Sequence, residues 1–238
     1  MRIEILFPEV CNLYGDLANI RYLKACCPEA EIIETDLKSR PRFLNEHIDL
    51  VYMGSTTEKG LELAANALRA VKDELSDKLD AGQLMLLTGN APDILGQYIE
   101  NDEGWRMDGV GLLPFHTAYR MMARHNSFYL GKMGEMDIVG FKSLFGMNYG
   151  APEENALFTT LRGVGRNEST ALEGWRKNNL LATSLIGPLL VLNPPLTAYL
   201  LGLMGVENPS LAFEDAAMES YNFRVAEFAQ ENRPWLYV

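Results

Sequence analysis

A chain of 238 residues with 47% hydrophobic and 22% charged side chains has the composition of a soluble globular protein, long enough to bury a sizeable core. Its net charge of −11 argues against a surface that tracks nucleic-acid phosphates, since affinity there comes largely from lysine and arginine. No apolar run reaches the roughly 18 uncharged residues of a membrane span; the longest, Leu180 to Leu192, is interrupted by Gly187 and Pro188.

Met1 to Leu6 reads as a strand rather than a leader, because Glu4 sits inside it and no small-residue cleavage site follows. A cytoplasmic location is expected by default. Cys11 stands alone and Cys26 adjoins Cys27, which fits neither a disulfide framework nor a CxxC knuckle. With histidines only at 47, 116 and 125, no metal and no cofactor is expected.

In chain order, Arg2 to Phe7 is a short apolar strand, and Asp16 can cap a helix through Ile20, Leu23 and Lys24. Glu31 to Thr35 and Ile48 to Met53 are further strands. Apolar residues at Leu61, Ala64, Leu68, Val71 and Leu75 predict one helix over 58–79, closed by Gly82. Leu84 to Leu87 is wholly apolar, as a strand buried on both faces would be. Asn90 can cap a following helix, with Pro92 and Asp93 in its first turn and Ile94, Leu95 and Tyr98 facing the core. This rhythm implies a parallel sheet with right-handed crossovers. The second half predicts strands at Gly109 to Phe115, Ser127 to Leu130, Asp137 to Phe141, Ala156 to Leu161 and Leu180 to Leu185, some of them antiparallel, then helices near Pro195 to Met204 and Leu211 to Gln230. No repeat or linker appears, so one domain over 1–238 is expected, with 206–238 as a C-terminal helical extension.

Ligands of open parallel sheets bind beyond the carboxyl ends of the strands. That directs attention to the Cys11–Asp16 loop, the Gly54–Glu58 loop and the Thr88–Asp93 turn. Several segments there and downstream resemble, in order, the cobyric-acid-synthase-type (CobB/CobQ-like) branch of the class I glutamine amidotransferases. Asn12-Leu13-Tyr14-Gly15-Asp16, followed by Asn19, is similar to the family's N-L-Y-G-D-x-G-N loop. Met53-Gly54-Ser55 resembles its glycine-rich turn, and the stretch to Ile94-Leu95-Gly96 its nucleophile segment, which usually ends C-G-G-Y-Q-x-L-G. Asp108 to Leu113 and Val139-Gly140-Phe141 resemble later strand motifs, and Leu180 to Leu190 resembles L-L-G-T-Y-L-H-G-P-x-L. Within this branch the resemblance extends to the glutaminase subunits of lipid II isoglutaminyl synthase, which act in cell-wall synthesis. It implies a flavodoxin-like α/β sandwich: a mostly parallel central sheet flanked by helices, with extra antiparallel strands in the second half.

The departures bear on chemistry. Counting back from Leu95-Gly96, the family cysteine falls on Gly89, and the histidine of L-H-G-P falls on Ile186. Thiolate attack on an amide needs both a nucleophile and a base that protonates the departing ammonia; glycine and isoleucine supply neither. The resemblance thus implies a pseudoenzyme whose pocket comprises Gly54, Ser55, Thr88, Gly89, Asn90 and Ile186. Its role would be to bind or scaffold a Mur-ligase-like ATP-dependent synthetase, the partner of such glutaminases, or to hold a small molecule in the vacated pocket. The alternative is altered hydrolytic chemistry in the same crevice, using Thr88, Cys11 or His116. For these, a strand-end hydroxyl bonded to local backbone, an inert buried thiol and a structural histidine are the plainer accounts.

Overall fold

The computed structural model describes residues 1–232, residue 234 and the backbone of 236–237. In chain order the regular elements are β1 (Arg2–Leu6), α1 (Ala18–Cys26), β2 (Glu31–Thr35), β3 (Leu50–Met53), α2 (Glu58–Arg69), α3 (Lys72–Asp80) and β4 (Met85–Leu87). Then come β5 (Tyr98–Asn101), β6 (Arg106–Asp108), β7 (His116–Tyr119), β8 (His125–Met133), β9 (Met136–Leu144) and β10 (Gly146–Tyr149). The remainder are β11 (Phe158–Arg162), β12 (Leu172–Glu173), β13 (Trp175–Lys177), β14 (Leu180–Ala182), α4 (Leu189–Leu192), α5 (Pro194–Leu203), α6 (Glu214–Phe228) and β15 (Leu236–Tyr237).

The central sheet has the order β13-β14-β4-β3-β1-β2, parallel throughout except for β13 at its edge. Alternation along its strands sorts the core into two layers, because successive side chains leave opposite faces of a strand. Val51, Met53, Met85, Leu87, Leu180 and Ala182 pack with Leu61, Ala64 and Leu68 of α2 and Leu75 and Leu79 of α3. Ile3, Ile5, Leu50, Tyr52, Leu86 and Leu181 pack on the other side with Ile20 and Leu23 of α1 and with Leu190, Leu196 and Leu200 near α4 and α5. Covered on both faces, β3, β4 and β14 carry the uninterrupted apolar runs seen in the sequence.

The second half adds two smaller sheets. One has the order β10-β7-β5-β6, antiparallel apart from the β5–β7 pair; the other is β12-β11-β8-β15, with β9 paired along the length of β8. Tyr221, Met218 and Val225 of α6 cover β8 and β9 at Leu130 and Val139. The expected α/β architecture, mostly parallel with antiparallel additions, is therefore present.

Four local expectations need correction. The helix over 58–79 is two helices: Val71 leaves helical geometry at φ −125°, ψ 24°, which turns α3 so that Val71, Leu75 and Leu79 reach the same core as Leu61 and Leu68. The segment 109–115 is not a strand. Its N–H groups bond to carbonyls of the 94–97 turn, with Val110 to Ile94 at 2.6 Å and Gly111 to Gly96 at 2.8 Å. A β-carbon on Gly109 would overlap the Gly96 carbonyl oxygen, so this close approach requires glycine. The helix expected after Asn90 is a single 3-10 turn, Ala91–Leu95; Asn90 makes no side-chain cap, and Tyr98 belongs to β5. Asp16 does not cap α1 either, since Leu17 holds that position and Asp16 turns into the protein.

Candidate functional site

The carboxyl ends of β1, β3 and β4 converge where an open parallel sheet binds its ligands. In the loop after β1, Tyr14 (φ 61°) and Gly15 (φ 71°) are both left-handed, and this reversal sends the Asp16 side chain inward. Asp16 is 1% exposed. Its Oδ2 accepts hydrogen bonds from the Ser55 backbone N–H at 2.8 Å and from the Thr88 hydroxyl at 2.6 Å. The Tyr52 hydroxyl lies 2.9 Å from the Asp16 carbonyl oxygen and 3.0 Å from Thr88 Oγ1, and Asn19 Nδ2 donates to the Tyr52 hydroxyl at 3.0 Å. Burial raises the Asp16 pKa, and the Thr88 and Ser55 hydrogen bonds oppose the rise. One carboxylate thus ties together the ends of β1, β3 and β4.

Gly89 follows Thr88 with φ +65°, a left-handed turn that a β-carbon would strain. A β-carbon built on it would overlap Ser55 Oγ, approach Ser55 Cβ to 2.8 Å and lie 3.3 Å from Ile186 Cγ2. Gly89 and Ile186, distant in sequence, therefore face each other. Ile186 is held by a backbone pair with Phe141 of β9 (N–H to O 2.9 Å, O to N–H 3.2 Å). Asn90 bridges to the Gly54 turn twice: Oδ1 accepts from Thr56 N at 2.9 Å, and Nδ2 donates to Thr56 O at 2.9 Å.

Above these residues lies a cleft lined by Tyr14, Ser55, Gly89, Asn90, Tyr119 and Arg124 among others. Its water-accessible volume is about 30 Å³, room for one or two waters. Arg124 closes the rim, with its guanidinium 4.4 Å from the Phe145 ring centroid. Of the pocket residues expected from sequence, Ser55, Gly89 and Asn90 line this cleft, whereas Gly54, Thr88 and Ile186 do not line it directly.

The three residues considered for other chemistry occupy separate surroundings. Thr88 is fully buried and bonds a carboxylate, not local backbone. Cys11 is buried in the core beside α2, and burial pushes its thiol up to about 12, which keeps it protonated. His116 stacks between Tyr98 and Tyr149, at centroid distances of 4.9 and 5.8 Å, in the second sheet. None of the three lines the cleft. Among the described residues no group of three or more His, Cys, Asp or Glu side chains could hold a metal ion. Among the described residues no helix is long and apolar enough to cross a membrane.

Sequence reasoning missed the buried carboxylates. Asp93 accepts from Asn148 Nδ2 at 2.8 Å and from the Tyr119 hydroxyl at 3.1 Å, and burial raises its pKa to about 6. The signal for Asp16 was its place in the N-L-Y-G-D loop. Tyr119 and Arg124 carry no motif.

The fold around this crevice is that of the class I glutamine amidotransferases. It superposes on the crystal structure of a glutamine amidotransferase with a TM-score of 0.57 at 14% identity, covering 85% of this chain and 99% of that one. A PurLQS structure from Thermotoga maritima gives a TM-score of 0.53 at 13% identity, covering 94% and 98%. The chain belongs to the CobB/CobQ-like glutamine amidotransferase domain family, matched over residues 2–191. It is similar to the lipid II isoglutaminyl synthase (glutamine-hydrolyzing) subunit GatD of Staphylococcus aureus strain N315, at 25% identity over 88% of this chain and 86% of the relative. It is likewise 25% identical to the subunit of that name from Streptococcus pneumoniae strain R6, over 81% and 76%.

Proposed function

We propose that this chain is a non-catalytic, GatD-like subunit that binds a Mur-ligase-like ATP-dependent synthetase in the cytoplasm and contributes scaffolding to amidation of a cell-wall precursor. The observation that carries this reading is the pairing of Gly89 with Ile186. The two positions that resemble the family's nucleophile and base lie side by side, and neither residue can attack an amide or move a proton. The subunit relationship rests on the likeness to GatD over most of both chains. Altered hydrolytic chemistry finds less support, because Thr88, Cys11 and His116 lie outside the cleft lining.

The test is ammonia release from glutamine by the purified chain, alone and with a co-expressed Mur-ligase-like synthetase from the same organism, together with co-purification of the two. Stable association without ammonia release is the expected result. Glutamine turnover that survives purification to homogeneity would overturn the non-catalytic reading, and absence of association would overturn the scaffolding role.

A further inference from the structure

The Ser55 hydroxyl is anomalous. The residue is 2% exposed, and Oγ makes no hydrogen bond of ordinary geometry among the described residues, although it lies beside the Asp16 carboxylate. A buried polar group is normally paired; whatever pairing the Asp16 carboxylate beside it gives this hydroxyl, the Ser55 side chain also fills space. That space is the volume a side chain on Gly89 would enter: a β-carbon there overlaps Ser55 Oγ and comes within 2.8 Å of Ser55 Cβ. Rotating the hydroxyl relieves the first overlap but not the second, because Cβ moves only with the backbone.

The backbone is held. Ser55 N–H is bonded to Asp16 Oδ2 at 2.8 Å, and the next residue, Thr56, is gripped at both its N–H and its C=O by the Asn90 side chain, at 2.9 Å each. We propose that Ser55 is a plug and Asn90 its latch, so that the absence of a side chain at 89 is coupled to residues 55 and 90. Putting a cysteine and a histidine back at 89 and 186 alone would leave the thiol without a place to stand. This inference rests on the reading of Gly89 as the former nucleophile position, and it adds that the loss has been sealed by a neighbouring turn.

The experiment places Gly89→Cys in three backgrounds: the parent, Ser55→Ala and Ser55→Gly. Melting temperature and alkylation of residue 89 by iodoacetamide are measured on native protein, with peptide mapping to separate that thiol from Cys11, Cys26 and Cys27. The left-handed strain at 89 is common to all three and cancels. The plug predicts that stability and alkylation rate both rise from Ser to Ala to Gly at position 55, with a rate gain of about tenfold or more between the ends, as accessibility of a thiolate governs such reactions. Equal reactivity and equal melting in all three would overturn it.

Should the cysteine variant not fold in the parent background, Gly89→Ala is combined with Ser55→Gly and unfolded in urea. Contacting residues give non-additive effects, whereas independent ones add. Recovery of stability in the double variant supports the plug, and additivity overturns it. Ammonia release by the parent would instead defeat the non-catalytic reading and leave this coupling measurable.

Discussion

Asp93 shows what a buried carboxyl does to a protein of this kind. It is 7% exposed, held by Asn148 and Tyr119, and its pKa rises to about 6 because burial disfavours the charged form more than its hydrogen bonds favour it. The folded chain therefore binds this proton more tightly than the unfolded chain. The stabilisation is fully present below about pH 4 and is lost as pH rises through 6, an effect on the order of 3 kcal/mol. Asp93→Asn keeps the shape and removes the titration, so the fall in urea-unfolding free energy between about pH 4 and 6.5 should flatten by a similar amount. An unchanged slope would show that the proton is held elsewhere. The positions of Gly89 and Ile186 could be read from the ordered motifs around them. The overlap of Ser55 with the space beside Gly89 could not, because it depends on how two loops meet in three dimensions.

At the level of strands and sheets, one buried ion pair lies inside the β12-β11-β8 sheet and its β9 partner, and its carboxylate also binds the segment that follows β14 of the central sheet. Glu173 of β12 and Lys142 of β9 are 0% and 1% exposed in their side chains, with Nζ 3.4 Å from Oε1. Glu173 also accepts from Thr183 Oγ1, Ser184 N and Ser184 Oγ at 2.6–2.9 Å, just before the segment that carries Ile186. Lys142 has Gly165 O as its other partner, at 2.7 Å, and burial lowers its pKa against the pull of Glu173. Removing the carboxylate leaves a buried ammonium with one acceptor; removing the ammonium leaves a carboxylate with three donors. Glu173→Ala should cost about 3–5 kcal/mol, and Lys142→Met clearly less, as measured by guanidinium unfolding. The reverse order would contradict this account. The β10-β7-β5-β6 sheet was the least legible in sequence. Leu50 to Met53 and Met85 to Leu87 announce themselves as unbroken apolar runs, whereas β7 (His116–Tyr119) and β10 (Gly146–Tyr149) bury Thr117 and Asn148 in a polar network and show no clean period.

For the whole molecule, the family match ends at residue 191, yet α6 closes the far side of the β8–β9 layer. Tyr221 donates to the Asp137 carbonyl at 2.9 Å, and Phe228 stacks on Phe128 at 4.5 Å. A chain ending at Gly205 would uncover Leu130, Val139 and Phe141 as one apolar surface. Such a patch binds hydrophobic dyes and promotes association. The truncated protein should melt lower than the parent and enhance 1-anilinonaphthalene-8-sulfonate fluorescence. A truncation indistinguishable from the parent would show that α6 is an ornament to the fold.

Asn19 gives the cleft floor a reach beyond itself. Its Nδ2 bonds the Tyr52 hydroxyl and Asp16, while its Oδ1 accepts the Leu190 backbone N–H at 2.9 Å. One rigid carboxamide thus connects the loop after β1 to the start of α4. Asp16 and α4 are therefore joined through one side chain, and removing it, as in Asn19→Ala, cuts both sets of contacts at once.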